Sequence, residues 1–292
     1  MRVTQNMVYR NFLSDLSNLN ESSNKTLREI SSGKKLSSIR DSPSGSARLV
    51  SIGDLESKID QYTANAEDGS FFLQAADSAL NEVNNLITSI YTRGSQAGTE
   101  TIGEEERDVL AQEVRSLRDQ ILSLANSHVR GRYIFAGTLV TDVPFTVAGD
   151  TVQYVGNDDV NRVIIDKGTE VEQGVSGSEV FDSVFETIEE LLVAMDDDDI
   201  ADIQAALGQF SDVLSGLGQV RAKIGTNIGH LENIQSHLEM SKISLTEQRS
   251  RIEDADLSES IVELNRIQTS LEAAISAGGT LLGKRNLFDI IG

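Results

Sequence analysis

Ile52, Leu55, Ile59, Tyr62, Ala66, Gly69, Leu73, Ala76, Leu80, Val83, Ile87 and Ile90 follow one another in alternating steps of three and four without a slip. That rhythm returns each side chain to one edge of an α-helix, and only Gly69 in the series is not apolar. No other feature of the chain constrains its fold as strongly. At about 1.5 Å per residue, Ser44–Arg93 would make a rod of roughly 75 Å. A compact globule needs no such rod, and a strict heptad stripe requires partner helices in the same chain or in a neighbour. Ser42 suits the N-cap and Pro43 the first turn, where its missing N–H costs nothing. Gly94 is expected to end the helix.

The remaining helices follow the same logic. Thr4–Ser32 carries Tyr9, Phe12, Leu16, Leu19, Ser23, Thr26 and Ile30 in the 3–4 rhythm, a weak seam with two polar members, and Gly33 suits the left-handed C-terminal cap. Thr101 and Glu104 have the spacing of a capping box for a third helix, with Leu110, Val114, Leu117, Ile121 and Leu124 as its seam, His128 and Arg130 in its last turn, and Gly131 as its stop. Ser183 and Glu186 suggest another capping box for a short helix reaching Met195, and Asp196–Asp199 reads as a loop with a fresh N-cap. A second very long helix then carries Ile200, Ile203, Leu207, Phe210, Leu214, Leu217, Ile224, Ile228, Leu231 and Leu238. It also holds Gly208, Gly216, Gly218, Gly225 and Gly229, each costing about 1 kcal/mol against alanine. Such costs point to a return from packing elsewhere. A last helix begins near Asp256 with Leu257, Ile261, Leu264, Leu271 and Ile275 on one side.

Between the two helical halves the period changes. Tyr133–Gly137, Phe145–Val147, Val152–Val155, Val163–Ile165 and Thr169–Val171 are short, β-branched or aromatic runs punctuated by Gly149, Asn157 and Gly168. The expected fold is mainly α, with long antiparallel coiled-coil-like rods formed by the N- and C-terminal halves and a small inserted β module. Three regions follow: residues 1–40 with 256–292 as terminal helices, 41–131 with 182–255 as a helical rod, and 132–181 as the β module.

Composition excludes several classes of function. The 292 residues include no cysteine, so disulfides, thiol nucleophiles and cysteine zinc sites are out of reach. No apolar run is long enough to span a bilayer, and Met1–Leu19 alternates polar with apolar residues instead of forming a secretory leader; no membrane partner is expected. The formal charge is −21, which argues against nucleic acid as a partner. The charge is uneven: residues 51–241 hold eleven basic and thirty-four acidic side chains, while residues 1–50 and 242–292 are close to neutral. Near-neutral ends can pair with each other or stack on copies of themselves without strong repulsion.

Catalytic signatures are poor. His230 and His237 lie two turns apart on one helix, too far to share a metal, and no His-Glu-x-x-His motif occurs. Gly278–Arg285 is one residue short of a phosphate-binding loop, has Arg285 where a magnesium-binding hydroxyl is needed, and follows no strand. Gly174–Ser178 lacks the final glycine of a nucleophile elbow and reads as a turn. Asp196–Asp199 lacks the spaced ligands, glycine and glutamate of a calcium loop. No catalytic residue, metal or cofactor is therefore assigned.

Several segments, in this order, carry a resemblance. Asn24–Leu36 with its Ile-Ser-Ser-Gly turn, Ser42–Ala47, Gln61–Asn65, Asp77–Leu80, Arg221–Gly225 and Ser250–Asp256 together resemble the flagellin family over nearly the whole chain. Gly131–Thr138 followed by Val143-Pro-Phe145, and the opening Met1–Met7, resemble the branch of that family found at the hook–filament junction. Residues 41–43, Asp-Ser-Pro, and the C-terminal Gly283–Gly292 depart from the usual pattern.

The resemblance implies a non-enzymatic structural adapter located outside the cell, on the bacterial flagellum at the hook–filament junction. It implies export in unfolded form through the flagellar type III channel, helped by a chaperone that binds the C-terminal region. The implied partners are copies of the chain in a ring, the first hook-associated junction protein, and flagellin. On this view the terminal helices form an inner layer around the channel, the rods a second layer, and the β module faces outward. Subunit contacts are expected to use Tyr9, Phe12, Leu16 and Leu19 against Leu264, Leu271 and Ile275. A filament subunit and an intracellular coiled-coil scaffold remain as alternatives.

Overall fold

The computed structural model describes residues 5–149 and 151–283. In chain order its elements are α1 (Gln5–Ser32), α2 (Pro43–Ala97), α3 (Glu104–Ala125), β1 (His128–Val129), β2 (Arg132–Tyr133), β3 (Phe145–Ala148), β4 (Thr151–Tyr154), β5 (Arg162–Asp166), β6 (Thr169–Glu172), α4 (Gly177–Asp196), α5 (Ile200–Glu253) and α6 (Leu257–Gly283). The fold is mainly α. The chain divides into two units, Met1–Lys58 with Ser241–Gly292 and Ile59–Met240, and the division falls inside α2 and α5.

In the first unit α1 packs on α6. Gly33 ends α1 with φ +70°, a conformation glycine adopts without a Cβ penalty, and its N–H closes on Glu29 O at 2.8 Å. The connector after α1 lies antiparallel to the turn between α5 and α6. Lys35 N donates to Glu253 O at 2.6 Å, Ala255 N donates to Gly33 O at 2.9 Å, and Lys34 Nζ pairs with Glu253 at 2.5 Å. Arg249 on α5 pairs with Glu56 on α2. Ser42 Oγ takes the Gly45 N–H at 3.1 Å, as expected for an N-cap before Pro43. Asp256 Oδ1 caps α6 by accepting from the N–H groups of Ser258 and Glu259 at 2.9 and 3.1 Å.

In the second unit α2 and α5 run antiparallel. Gly69 faces Leu231, Asp77 pairs with Arg221, Tyr91 meets Phe210 and Gly98 faces Ile203, so one number climbs as the other falls. From Ala66 to Ile90 every member of the α2 stripe is buried. The α5 stripe is buried at Ile203, Phe210, Leu217, Ile224, Leu231 and Leu238, and at Ala206, Val213 and Val220, which complete the 3–4 rhythm. α3 and α4 pack on one another, and α4 also touches β4. The β region is three separate antiparallel hairpins, β1–β2, β3–β4 and β5–β6. Phe135, Phe145, Phe181 and Phe185 form one aromatic cluster, with ring centroids 5.0 to 5.9 Å apart. The Asn126 side-chain amide stands in for a strand neighbour, exchanging two 3.0 Å bonds with the backbone of Phe145.

Four expectations need correction. α2 runs past Gly94 to Ala97; Gly94 is buried, and a Cβ there would lie 2.8 Å from Leu207 Cδ2, so this glycine serves close helix packing. α3 starts at Glu104 with Gly103 as N-cap, because the Glu106 carboxylate reaches back to the Gly103 N–H at 3.0 Å. α3 ends at Ala125, and His128 and Arg130 belong to the first hairpin. α4 starts at Gly177, six residues before Ser183, because Val180 and Phe181 are already buried in the core. Around the five α5 glycines no atom of the described residues comes within Cβ reach, so no packing among those residues accounts for them.

Candidate functional site

The polar side chains nearest to a catalytic or metal-binding pattern are occupied in structure. Ser176 is the N-cap residue of α4, and its hydroxyl and that of Ser178 both donate to Asp158 Oδ1, at 3.0 and 2.5 Å. The bond from Ser178, then that from Ser176, holds the Asp158 carboxyl below its usual pKa, which makes it a poor general base. Gly177 between them is sterically required, since a Cβ would stand 2.6 Å from Phe135 O. Asp199, in the acidic run 196–199, caps α5 through the N–H groups of Ala201 and Asp202 at 2.9 and 3.1 Å. Among the described residues no group of three or more His, Asp or Glu is placed to hold a metal. Gly278 and Gly279 lie within α6, and Lys284 and Arg285 lie outside the described residues.

A cleft of about 610 Å³ opens beside α3, α4 and α5. Several of its charged side chains are committed to structure. Arg115 is held by both carboxylate oxygens of Asp196, Glu189 accepts the Val152 N–H at 2.8 Å, and Glu190 accepts from Gln209 at 2.7 Å.

The terminal helices differ in what they leave uncovered. On α1, Phe12, Leu16 and Leu19 are half-buried and Thr26 is buried, all on the expected seam. On α6 the covered edge runs through Ser260, Leu264, Ile267, Leu271, Ala274 and Gly278, a 3–4 series. Phe12 sits on Gly278, where a Cβ would come within 2.5 Å of its ring. Phe12, Leu16, Leu19, Leu264 and Leu271 therefore lie on the edges that α1 and α6 cover within the chain. Tyr9 and Ile275 remain 50% and 56% exposed. Beside them the structure exposes Met7, Val8, Leu13 and Leu27 on α1, and Leu257, Ile261 and Val262 on α6. Several of these fall next to the seam instead of on it. The signal that finds them is the width of the apolar arc, which exceeds the two positions per heptad that one partner covers.

The hook–filament resemblance rested largely on the segment 131–145. There Ile134, Phe135, Ala136 and Phe145 are buried, so that motif builds the core beneath the hairpins.

Comparison with known proteins agrees with this architecture. The chain matches the bacterial flagellin N-terminal helical region over residues 3–139 and the bacterial flagellin C-terminal helical region over residues 200–281. It is 26% identical to flagellar hook-associated protein 3 of Escherichia coli, over 95% of this chain and 96% of that one. It is 24% identical to a flagellin of Bacillus subtilis, over 91% of each. The solved structure of a putative flagellar hook-associated protein from Vibrio parahaemolyticus superposes with a TM-score of 0.68 at 21% identity, covering 73% of this chain and all of that one, and so shares the fold. With helical regions of both flagellin types at its two ends, in the expected order and on a matching fold, the chain belongs to the flagellin family.

Proposed function

We propose that this chain is a structural adapter of the bacterial flagellum, placed at the hook–filament junction. One observation carries the reading: large apolar side chains on both terminal helices stay exposed after α1 and α6 have paired, in a chain whose relatives include hook-associated protein 3. Exposed apolar surface that one partner helix cannot cover is suited to further helices from other subunits. Tyr9, Leu13 and Leu27 on α1 and Leu257, Ile261, Val262 and Ile275 on α6 would make those contacts. Phe12, Leu16, Leu19, Leu264 and Leu271 would hold the helix pair that presents them. The partners would be copies of the chain in a ring, the first junction protein on one side and flagellin on the other. The terminal helices would form the inner layer, and the hairpin region would face outward. The chain would be exported unfolded through the type III channel, with a chaperone on its C-terminal region. The role requires packing alone and no bond-making chemistry.

The test is deletion of the gene followed by imaging of flagella. Hooks without filaments, with flagellin shed into the medium, are expected. Normal filaments would overturn the proposal. Loss of flagellin itself, with hooks intact, would replace it with a filament-subunit role, which the Bacillus subtilis relative makes the principal rival.

A further inference from the structure

Arg107, in the first turn of α3, is the most buried charged residue among the described residues, at 2% exposure. A guanidinium does not give up its proton in a protein, so its charge has to be met where it stands. Its Nε donates to Ala97 O at 3.0 Å, at the last residue of α2, and its Nη2 donates to Ile102 O at 3.2 Å. Its Nη1 pairs with the carboxylate of Asp198, from the turn between α4 and α5. One side chain thus reads the end of α2, the α2–α3 connection and the α4–α5 connection.

Asp198 is unusual in its own right. Asp199 N donates to Ala194 O at 3.0 Å and Asp198 N to Met195 O at 3.4 Å, the paired bonds of a Schellman ending, and Asp198 occupies its left-handed position with φ +58°. Glycine is the usual residue there, because a Cβ is penalised. Local backbone chemistry therefore favours glycine at 198, and the bond to Arg107 accounts for the aspartate. The two connections also touch elsewhere. Gln204 Nε2 donates to Gly98 O at 3.4 Å, and a Cβ at Gly98 would lie 3.1 Å from Ile203.

We propose that Arg107 and Asp198 form an electrostatic latch that couples the two connections, so that this end of the second unit opens and closes as one body. The latch joins the N-terminal half of the chain to the C-terminal half. Without Asp198, Arg107 would keep two carbonyl dipoles and lose its neutralising charge, a state that buried arginines avoid.

Asp198→Gly in the full chain separates the alternatives by sign. Backbone relief alone would raise the Tm. The latch requires the Tm to fall and amide exchange to accelerate at a distance: about tenfold or more at Ile102 and Arg107, whose N–H groups bond Thr99 O and Gly103 O. Exchange in the Phe181–Ile188 core should accelerate only as far as the fall in stability requires, and by less than at Ile102 and Arg107. Asp198→Asn keeps the size and the left-handed tolerance while removing the charge, and should give the same remote acceleration. A raised Tm in Asp198→Gly, or acceleration confined to residues 195–203 in either variant, would overturn the latch.

Discussion

The two units use one sequence device and reach different depths of burial. In the second unit the stripes on α2 and α5 meet each other, and α3, α4 and the hairpins add further cover, so Leu73, Leu80, Ile87, Ile121, Ile188, Leu191 and Phe210 are fully enclosed. In the first unit, among the described residues, Ile52 and Ile267 are the buried apolar side chains; the other buried apolar residues belong to the second unit. Packed side by side, α1 and α6 cover one edge of each and no more, and the α2 end in this unit adds only Ile52, so little interior forms. The seam between α1 and α6 is also part polar. Thr26 is buried, and its hydroxyl turns back to Ser22 O at 3.0 Å. The contrast teaches that a heptad stripe specifies a partner, whereas a core requires several partners at once.

The contrast can be broken most forcefully at Phe181. Phe181→Ala removes a ring packed against Phe135, Phe145 and Phe185 and should destabilise the second unit by about 3–5 kcal/mol, read from a urea titration. A loss below about 1 kcal/mol would deny that the aromatic cluster is its keystone. Gly177→Ala comes next, because its Cβ would press on Phe135 O and the Tyr154 ring; about 1–3 kcal/mol should be lost, visible as a lowered Tm. In the first unit, Leu19→Ala should leave the main urea transition of the dilute monomer within about 0.5 kcal/mol, yet fail to restore swimming when it complements the deletion. A drop as large as that of Phe181→Ala would erase the distinction between the units.

The smallest effect has the opposite sign. Burial, then the charges of Asp158 and Glu186, raise the Asp182 pKa above the usual carboxylate value. The folded state therefore prefers the protonated acid, and its penalty is full above the folded-state pKa and fades as pH falls toward the unfolded value. Asp182→Asn should accordingly melt slightly higher than the parent at pH 7, with the difference vanishing below about pH 4. An equal difference at both pH values would remove charge as the cause.

The stripes were legible because burial in long helices follows the 3–4 rhythm almost residue by residue, as Ala66 to Ile90 shows. The second and third hairpins were legible from β-branched runs and turn glycines, whereas the first was hidden because His128 and Arg130 read as the end of α3. Helix ends were harder to read. Gly94 has the look of a stop signal, yet it is buried for close packing on Leu207, and Ser183 has the look of a cap, yet it lies a turn and a half inside α4. Local signals of those two kinds are indistinguishable until the tertiary partner is known. The pairing of Arg107 with Asp198 had no sequence signal at all, since neither residue belongs to a spaced motif. On α1 and α6 the apolar residues could be identified, but which edge the chain would cover for itself depended on the alignment of one helix against the other.

That alignment has a safeguard in the seat of Phe12 on Gly278. Smooth, partly polar stripes look much the same after a slip of one heptad, so many alignments would be close in energy. A slip of seven residues would bring Phe12 against Leu271, a bulky side chain in place of an empty notch. The ring and the glycine act as tooth and slot, and they fix the phase of an otherwise repetitive seam from within the chain itself.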